Sequence, residues 1–399
     1  MRILYVHQYF KTPREPGGTR SYWLAQELLK NGYEVTMITI NKYQKESVKE
    51  YNVDGIKVVS YGIFYNQSMG IKDRLKSFTD FMVKSTRYAL KHSKEYDFVF
   101  ATSTPLTVGI PALLAKWFKK KKYIFEVRDL WPEVPIQMGA FKNPLIIGLT
   151  RWLEKTIYKN AEHVIALSPG MQDGVIKYIP KEKTSMIPNM SKKDEFWPRE
   201  KDYDLMKQIG LKEDYLKVIH FGSLGEANGI DTIIESASLL KEQKIQFLFL
   251  GAGSTEERLK KVIEQKNIKN VLFHNRTPME LTSAIVNCCD ISLVSFKDLP
   301  ILYTNSPNKL FDSLSAGKPI IVNSAGWTKK MVEDNKCGIY CDPKNPQDLA
   351  DKLVYLNNRD SLEDMGKNSR RLAEEVYDKS ILVEEFSNVF NKIVKNKND

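Results

Sequence analysis

Residues 218–231 read Val-Ile-His-Phe-Gly-Ser-Leu-Gly-Glu-Ala-Asn-Gly-Ile-Asp. An apolar run comes first, a loop with glycines at 222, 225 and 229 follows, and a helical pattern begins at Ile230. A strand, a glycine-rich loop and a helix in this order are typical of βαβ units, in which helices join parallel strands. Ligands of such sheets bind beyond the carboxyl ends of the strands, so this segment predicts a binding loop as well as a fold.

The same alternation of strand and helix runs through the 399 residues. Short β-branched and aromatic runs recur with helical patterns between them, which is typical of parallel sheets. We therefore predict an α/β protein with two Rossmann-like, doubly wound domains. The predicted strands are residues 3–6, 35–40, 56–61, 98–101, 123–127, 163–167, 218–221, 247–250, 271–273, 291–294, 319–323 and 338–341.

The predicted domain boundary lies at Ile187-Pro188-Asn189, because residues 191–214 are rich in Lys, Asp and Glu and indicate a linker. The first domain is predicted at 1–187 and the second at 188–368. Helices are predicted at 369–399, and the sequence leaves open whether they pack back on the first domain. Side-chain oxygens predict helix N-caps at Ser254 and Asn345.

The composition excludes several classes of protein. With 42% hydrophobic and 27% charged residues the chain is not disordered, and it is too long for a small disulfide-stapled module. Prolines interrupt the longest apolar stretch, residues 98–118, so no transmembrane helix is predicted. The N-terminal run lacks the pattern of a signal peptide, and we expect a cytoplasmic protein. The four cysteines lack zinc-site spacing and are predicted to be buried thiols.

Positive charge is concentrated in the first half of the chain. Residues 1–185 hold 29 Lys and Arg against 17 Asp and Glu, whereas residues 186–399 hold 31 against 32. This asymmetry indicates an anionic partner, either nucleic acid or a membrane surface, with a solvated basic face as the alternative. Aromatic and cationic residues mix in one segment, which predicts peripheral binding to the inner face of the plasma membrane. That segment is Lys116-Trp117-Phe118-Lys119-Lys120-Lys121-Lys122.

Two glycine-containing loops could approach a phosphate. Gly17 and Gly18 precede an amphipathic helix, whose N-terminus favours an anion. Gly251-Ala252-Gly253 follows a predicted strand. Neither loop continues to the third glycine of a dinucleotide fingerprint, and the chain has no Walker motif. Nicotinamide and ATP chemistry are therefore disfavoured.

A lysine and an aspartate lie three residues apart in Ser306-Pro307-Asn308-Lys309-Leu310-Phe311-Asp312. They share one face if the segment is helical. A cation for phosphate and a carboxylate for vicinal hydroxyls is what a nucleoside diphosphate sugar requires. The alternative is a surface ion pair.

These motifs, in this order, resemble the GT-B glycosyltransferases of family 4, and the resemblance covers essentially the whole chain. Val127-Arg128-Asp129-Leu130-Trp131-Pro132-Glu133 and the loop from Gly222 resemble the WbuB-like N-acetyl-L-fucosamine transferase group most closely. The resemblance implies a GT-B fold with two domains facing a central cleft. It also implies a donor site mainly on the second domain and an acceptor site mainly on the first.

The resemblance assigns donor contacts to individual residues. Asp312 matches the second acid of the family's Glu-x7-Glu pattern, which implies ribose binding, but Thr304 replaces the first acid. Ser223 and Asn228 stand where many relatives have the Arg and Lys that bind the diphosphate, so other cations must stabilise the leaving UDP. The predicted donor-binding residues are Gly17, Gly18, Arg20, Gly222, Ser223, Gly253, Asn275, Arg276, Asn308 and Asp312, with Lys309 assigned both diphosphate binding and a catalytic role.

The predicted acceptor residues are His7, Arg128, Trp131 and Glu133. Asp129 stands where many relatives have a histidine. It is predicted to be a catalytic residue that accepts a hydrogen bond from the sugar or the attacking hydroxyl. Retention of anomeric configuration is implied by the resemblance alone. Asp202-Tyr203-Asp204 resembles a metal-binding motif of another transferase fold, but it lies in the predicted linker. We expect no metal and no cofactor besides the UDP-sugar substrate.

The sequence thus predicts a glycosyltransferase that moves an N-acetylated deoxy hexosamine, such as N-acetyl-L-fucosamine, from UDP. The predicted acceptor is an undecaprenyl-diphosphate-linked saccharide in capsular polysaccharide or O-antigen biosynthesis. One alternative is a UDP-N-acetylhexosamine 2-epimerase of the same fold. Another is a non-enzymatic membrane- or nucleic-acid-binding protein, although no nucleic-acid motif is visible.

Overall fold

The computed structural model describes residues 1–15, 17–66, 69–357 and 360–395. It divides into two compact units. The first contains Met1–Pro13, Gly17–Pro188 and Ser380–Asp399, and the second contains Arg14–Pro16 and Asn189–Lys379. The main change of unit falls at Pro188, next to the predicted boundary at 187, and the last helix belongs to the first unit. Residues 396–399 of the predicted C-terminal segment lie outside the described residues.

The first unit is built on an eight-stranded sheet. Its elements are β1 (Arg2–Val6), α1 (Arg20–Lys30), β2 (Glu34–Ile40), β3 (Val48–Val53), β4 (Ile56–Tyr61), α2 (Ile71–Lys91), β5 (Phe98–Thr102), α3 (Gly109–Lys119), β6 (Lys122–Val127), α4 (Glu133–Gln137), α5 (Pro144–Asn160), β7 (His163–Ala166), α6 (Pro169–Ile176) and β8 (Thr184–Met186). The strand order is β3-β4-β2-β1-β5-β6-β7-β8. Only the edge strand β3 runs antiparallel, against β4. The order reverses between β1 and β5, which is the switch point where such sheets bind ligands.

The second unit is built on a six-stranded parallel sheet. Its elements are α7 (Tyr203–Ile209), β9 (Leu216–Ser223), α8 (Ile230–Leu239), β10 (Ile245–Ala252), α9 (Glu256–Gln265), β11 (Val271–His274), α10 (Met279–Cys288), β12 (Ile291–Val294), α11 (Asn308–Ser315), β13 (Ile320–Val322), α12 (Trp327–Asp334), β14 (Gly338–Tyr340), α13 (Pro346–Leu356) and α14 (Asp360–Glu375). The strand order is β11-β10-β9-β12-β13-β14. The final helix of the chain is α15 (Lys379–Lys395). Short 3₁₀ helices lie at Ser93–Glu95, Leu106–Val108, Lys181–Lys183, Glu226–Asn228 and Pro300–Thr304.

Alternate residues of the second sheet enter different cores, as the two-residue period of a strand requires. On β9, Leu216 and Val218 pack on one face of the sheet, and Ile219 and Phe221 pack on the other. Helices α8, α9 and α13 cover the first face, and α7 and α10 cover the second. Both faces are buried, which is why these strands read as continuous apolar runs.

Helix α15 completes the core of the first unit. Its Phe386 and Phe390 are fully buried and contact the rings of Phe98 and Phe100 on β5, with centroid distances of 5.3–6.3 Å. The hydroxyl of Tyr33, which precedes β2, donates a hydrogen bond to Asn391. A helix that follows the second unit in sequence therefore belongs to the hydrophobic core of the first.

The predicted α/β architecture with two Rossmann-like sheets is confirmed, and all twelve predicted strands are present. Three local predictions were wrong. The predicted linker contains α7 and buries Phe196 and Met206. Strands β3 and β8 were not predicted, and Ser254 is not an N-cap because α9 begins after Thr255. Asn345 does cap α13, since its side chain accepts a hydrogen bond from Gln347 N.

Candidate functional site

The carboxyl ends of β1, β5 and β6 bring four polar residues of the first unit together. His7 follows β1, Thr104 follows β5, and Arg128 and Asp129 follow β6. These strands are neighbours in the sheet, so their C-terminal loops meet at one edge. Arg128 Nη1 lies 3.4 Å from His7 Nε2, and Thr104 Oγ1 donates a hydrogen bond of 2.7 Å to Asp129 Oδ2.

His7 is a neutral hydrogen-bonding group. Burial, together with the nearby Arg128 guanidinium, lowers the pKa of His7 well below its usual value. Its Nδ1 lies 2.9 Å from Ser21 Oγ, so a proton on Nδ1 leaves Nε2 to accept from Arg128. The ring thereby orients Arg128.

Asp129 is half-buried, and burial raises the pKa of its carboxyl, while Thr104 and Arg128 act in the opposite direction. A carboxylate in this setting accepts hydrogen bonds from hydroxyl groups. The other two predicted acceptor residues lie further along. Trp131 makes edge-on contacts with Phe78 and Phe141, and Glu133 pairs with Arg151 at 2.8 Å at the start of α4.

Arg20 lies in the interior of the first unit. Its Nε donates to Glu126 Oε1 at 2.8 Å, and its terminal nitrogens donate to the carbonyls of Ile187 and Pro188. Both members of the Arg20–Glu126 pair are fully buried. These contacts fix the point where the chain leaves the first unit. They lend no support to Arg20 as a diphosphate ligand, a role that stays a prediction.

Gly17 and Gly18 come just before α1, which begins at Arg20 with Thr19 as the N-cap residue. Gly17 is exposed, and its φ of +135° is a conformation that residues with a side chain rarely adopt.

Close backbone contact at the carboxyl ends of β9 and β10 explains three glycines of the second unit. A Cβ on Gly251 would lie 1.8 Å from the carbonyl oxygen of Gly222, and one on Gly253 would lie 2.2 Å from the Leu224 backbone. Gly222 also has a positive φ of +110°. The last residues of β9 and β10, and the loops that follow them, are therefore in direct backbone contact.

Lys309 lies beside this glycine loop. Its Nζ is 3.0 Å from His220 Nε2 on β9 and donates to Asn228 Oδ1 at 3.0 Å. Ser295 Oγ lies 3.3 Å from His220 Nδ1 and donates to the Asn228 carbonyl. Ser295 therefore holds both partners of Lys309, His220 and Asn228, in place. Burial lowers the pKa of Lys309 to about 7. Burial and the Lys309 charge hold the pKa of His220 well below its ordinary value, so the lysine has two neutral partners.

Asp312 lies one helical turn beyond Lys309 and is buried in an ion pair. Lys192 Nζ is 3.0 Å from Asp312 Oδ1 and 3.6 Å from Glu195 Oε2. Burial raises the pKa of Asp312, an effect that Lys192 partly opposes. Burial also disfavours the charged form of Lys192, but the two carboxylates outweigh it and raise the Lys192 pKa. Lys192 therefore stays charged and holds Asp312 in place.

The remaining predicted donor residues surround the same edge. Arg276 donates to the Ala252 carbonyl at 3.1 Å, and the carbonyl of the exposed Asn275 lies 3.0 Å from His274 Nδ1. Asn308 is the first residue of α11 and is half-buried. Ser223 is the last residue of β9. A Cβ built on Gly225 would lie 3.3 Å from Ser223 Oγ, so the two residues are close together.

His220 and Lys192 were missed by the sequence analysis. His220 lies inside an apolar strand, and Lys192 lies in a segment that reads as a polar linker. Asp202, the first aspartate of the metal-like motif, caps α7, because its side chain accepts a hydrogen bond from Leu205 N.

The predicted membrane residues lie at the C-terminal end of α3. Trp117, Phe118, Lys119 and Lys120 are exposed, while Lys121 and Lys122 are half-buried. The ammonium group of Lys116 already has partners within the first unit. It donates to the Asn160 carbonyl and pairs with Glu162 at 3.1 Å.

Comparisons with known proteins cover both units. Residues 17–190 match the family described as glycosyl transferase 4-like domain, and residues 202–372 match glycosyl transferases group 1. A probable glycosyltransferase WbjE of Pseudomonas aeruginosa is 23% identical over 80% of this chain and 79% of its own. A poly(ribitol-phosphate) alpha-N-acetylglucosaminyltransferase of Staphylococcus aureus is 25% identical over 63% of this chain and 47% of its own.

Solved structures share the fold at low sequence identity. Sucrose-phosphate synthase from Thermosynechococcus elongatus superposes with a TM-score of 0.80 at 16% identity, covering 99% of this chain and 100% of its own. Anabaena HepE in complex with UDP-glucose gives a TM-score of 0.72 at 16% identity, covering 98% and 100%.

Proposed function

Since the chain is a glycosyltransferase of the GT-B type, with a group 1 domain in its second half, we propose that its donor is a UDP-sugar bound by the second unit. The observation that carries this proposal is Lys309, a buried cation between His220 and Asn228 at the glycine loop. HepE, which has the same fold, was solved with UDP and with UDP-glucose, and this supports uracil as the base of the donor.

Lys309 is suited to a diphosphate because both of its described partners are neutral. A buried ammonium group without a carboxylate is poorly stabilised, and an arriving diphosphate supplies the missing negative charge. The same contact stabilises the charge that develops on UDP as the glycosidic bond breaks. Asn228 occupies the position where many relatives have a lysine, and here it binds the lysine of α11 instead. A cation is thus present at the glycine loop, and α11 contributes it.

We assign the ribose to Asp312. Lys192 holds one carboxylate oxygen, which fixes the orientation of the group and favours its ionised form. This role has a direct test, because 2′-deoxy-UDP lacks one of the two hydroxyls. The wild type should prefer UDP over 2′-deoxy-UDP, and Asp312→Asn should lose this preference. If Asp312→Asn weakens the binding of UDP and of 2′-deoxy-UDP equally, Asp312 has a structural role only.

The first-unit cluster of His7, Arg128 and Asp129 is assigned to the acceptor side. Asp129 would accept a hydrogen bond from a sugar or acceptor hydroxyl, and Arg128, oriented by His7, would meet an anionic group. We propose retention of configuration, which product anomers resolved by NMR would test.

The proposed pathway is bacterial polysaccharide assembly, capsular polysaccharide or O-antigen, on an undecaprenyl-diphosphate-linked saccharide. The proposed sugar is an N-acetylated deoxy hexosamine such as N-acetyl-L-fucosamine. Relatives support the class: one is a putative colanic acid biosynthesis glycosyl transferase of Escherichia coli, and the Staphylococcus aureus relative carries N-acetylglucosaminyltransferase in its name.

Isothermal titration is the decisive experiment. UDP, ADP, GDP and NAD are titrated with and without Mg²⁺ into wild type and Lys309→Met. We expect metal-independent binding that is selective for UDP and weaker in the variant. Equal binding of the nucleotides, or indifference to Lys309, would refute the donor site. Turnover of a UDP-sugar to its epimer without acceptor would instead indicate an epimerase.

A further inference from the structure

Helix α5 presents apolar side chains to solvent. Leu145, Leu149 and Trp152 are 83%, 63% and 55% exposed, and Ile146 is exposed beside them. The spacing of four and three residues places the first three on one stripe of the helix. We call these four residues the α5 ridge. Among the described residues no helix has both the length and the apolar character needed to cross a bilayer, so the ridge is not part of a span.

The opposite side of α5 is already packed. Glu154, Ile157 and Tyr158 are buried in the first unit. Glu154 is the single acid of this helix, so the acid faces inward, and burial raises its pKa to about 7. The helix therefore has a filled inner side and an apolar outer side that the fold itself does not cover.

A second group of exposed apolar side chains lies on α3, beside the C-terminal end of α5. Trp117 Nε1 donates to Asn160 Oδ1 at the end of α5, at a distance of 3.3 Å, and Trp117 and Phe118 are 48% and 68% exposed. Two helices that lie next to each other in the first unit thus expose three large aromatic rings and three aliphatic side chains. Large apolar side chains exposed together on neighbouring helices indicate an interaction site.

The charge around this surface is positive. Lys155 and Lys159 of α5 are exposed, as are Lys119 and Lys120 at the end of α3. The nearby acids are neutralised within the unit, since Glu133 pairs with Arg151 and Glu162 pairs with Lys116. Apolar side chains flanked by unbalanced lysines match a bilayer of anionic lipids, in which apolar groups enter the acyl boundary and lysines meet phosphate headgroups.

We propose that the α5 ridge inserts into the interface of an anionic membrane, with Trp117 and Phe118 as a second point of contact. The sequence points to the lysine-rich end of α3, whereas the structure assigns the main apolar contact to α5. The surface is independent of the proposed donor site. Membrane binding through this surface extends the proposed function, because a lipid-linked acceptor would lie in the same bilayer that the enzyme binds.

Vesicle sedimentation tests the ridge directly. The full-length protein is mixed with vesicles of phosphatidylglycerol and phosphatidylcholine, or of phosphatidylcholine alone. We expect the wild type to bind the anionic vesicles and Leu149→Ser/Trp152→Ser to bind about tenfold more weakly. The control is Val354→Ser/Tyr355→Ser, an exposed apolar pair on α13 of the second unit, which should bind as the wild type does. The proposal would be overturned if both variants lost vesicle binding equally, or if neither variant lost it.

A fluorescent label reports insertion itself. The four native cysteines are all buried, so Leu149→Cys offers an accessible site for an environment-sensitive dye. The emission of this dye should rise and shift to the blue with anionic vesicles, while a dye at Tyr355→Cys should not respond. If Leu149→Ser/Trp152→Ser changes the oligomeric state and leaves vesicle binding intact, the ridge is a protein interface instead. Titration of UDP into the same variants separates the two proposals, because loss of UDP binding concerns only the donor site.

Discussion

Binding of a UDP-sugar should weaken as pH rises through the pKa of Lys309. Without donor this pKa is about 7, and the diphosphate requires the protonated lysine and raises its pKa in the complex. Below the pKa of the free protein the lysine is already charged, and above it binding must take up a proton. From about pH 6 to about pH 8 the dissociation constant should therefore rise about tenfold, or about 1.4 kcal/mol, with about 0.9 proton taken up at the higher pH. His220 stays neutral over this range and does not contribute.

The assay is isothermal titration of a UDP-sugar, whose diphosphate does not titrate in this range, in buffers of different ionisation enthalpy. Lys309→Met should bind more weakly at the lower pH and lose both the pH dependence and the proton uptake. Lys318 provides a matched control, because burial lowers its pKa to about 8 while it donates to the Asn287 and Cys289 carbonyls on another side of the unit. Lys318→Met should keep the pH dependence.

Proton uptake that persists in Lys309→Met would refute the reasoning, because another group would then titrate on binding. An affinity that is flat with pH in the wild type would show that the lysine is already fully charged before donor binds. Thermal melts of each variant establish that the protein tested is folded.

Further predictions concern the packing inside each unit. Glu126→Gln should destabilise the first unit by about 3–5 kcal/mol in urea unfolding, since it leaves the buried Arg20 charge without its partner; replacing both residues by apolar ones should recover much of the loss. Gly251→Ala should weaken UDP binding about tenfold or more and lower the melting temperature, because the added methyl overlaps a backbone carbonyl. Gly148→Ala, with no atom within 4 Å of the new methyl on an exposed helix position, should instead stabilise by about 0.5–1 kcal/mol. Phe390→Ala should cost about 3–5 kcal/mol in the same unfolding assay, and an unchanged stability would show that α15 is dispensable to the core.

The sheets could be predicted from the sequence because their strands are buried on both faces and read as apolar runs. Strand β3 could not be predicted, since Val48–Val53 is an exposed edge strand that includes Lys49 and Glu50 and has no alternating apolar pattern. Helix α7 was not predicted because it lies in a polar segment, in which few residues, among them Leu205, Met206 and Ile209, pack against the core.

The candidate site could be predicted in part, because glycine loops and the Lys309–Asp312 spacing are local features. The partners of these residues are not local. His220 and Lys309 are 89 positions apart, and Arg20 and Glu126 are 106 apart. A sequence pattern marks Arg20 as a cation near a glycine loop, but only the folded chain shows that its charge is used inside the unit.

The membership of α15 in the first unit affects the order in which the chain can fold during synthesis. The second unit is, apart from Arg14–Pro16, one continuous stretch and can fold as soon as Lys379 has left the ribosome. The first unit cannot be completed then, because Phe98 and Phe100 await the rings of Phe386 and Phe390. Nearly three hundred residues are translated while that apolar face of β5 has no cover, at about 5–20 residues per second. The nascent first unit is therefore the part of this protein that chaperones would be expected to protect.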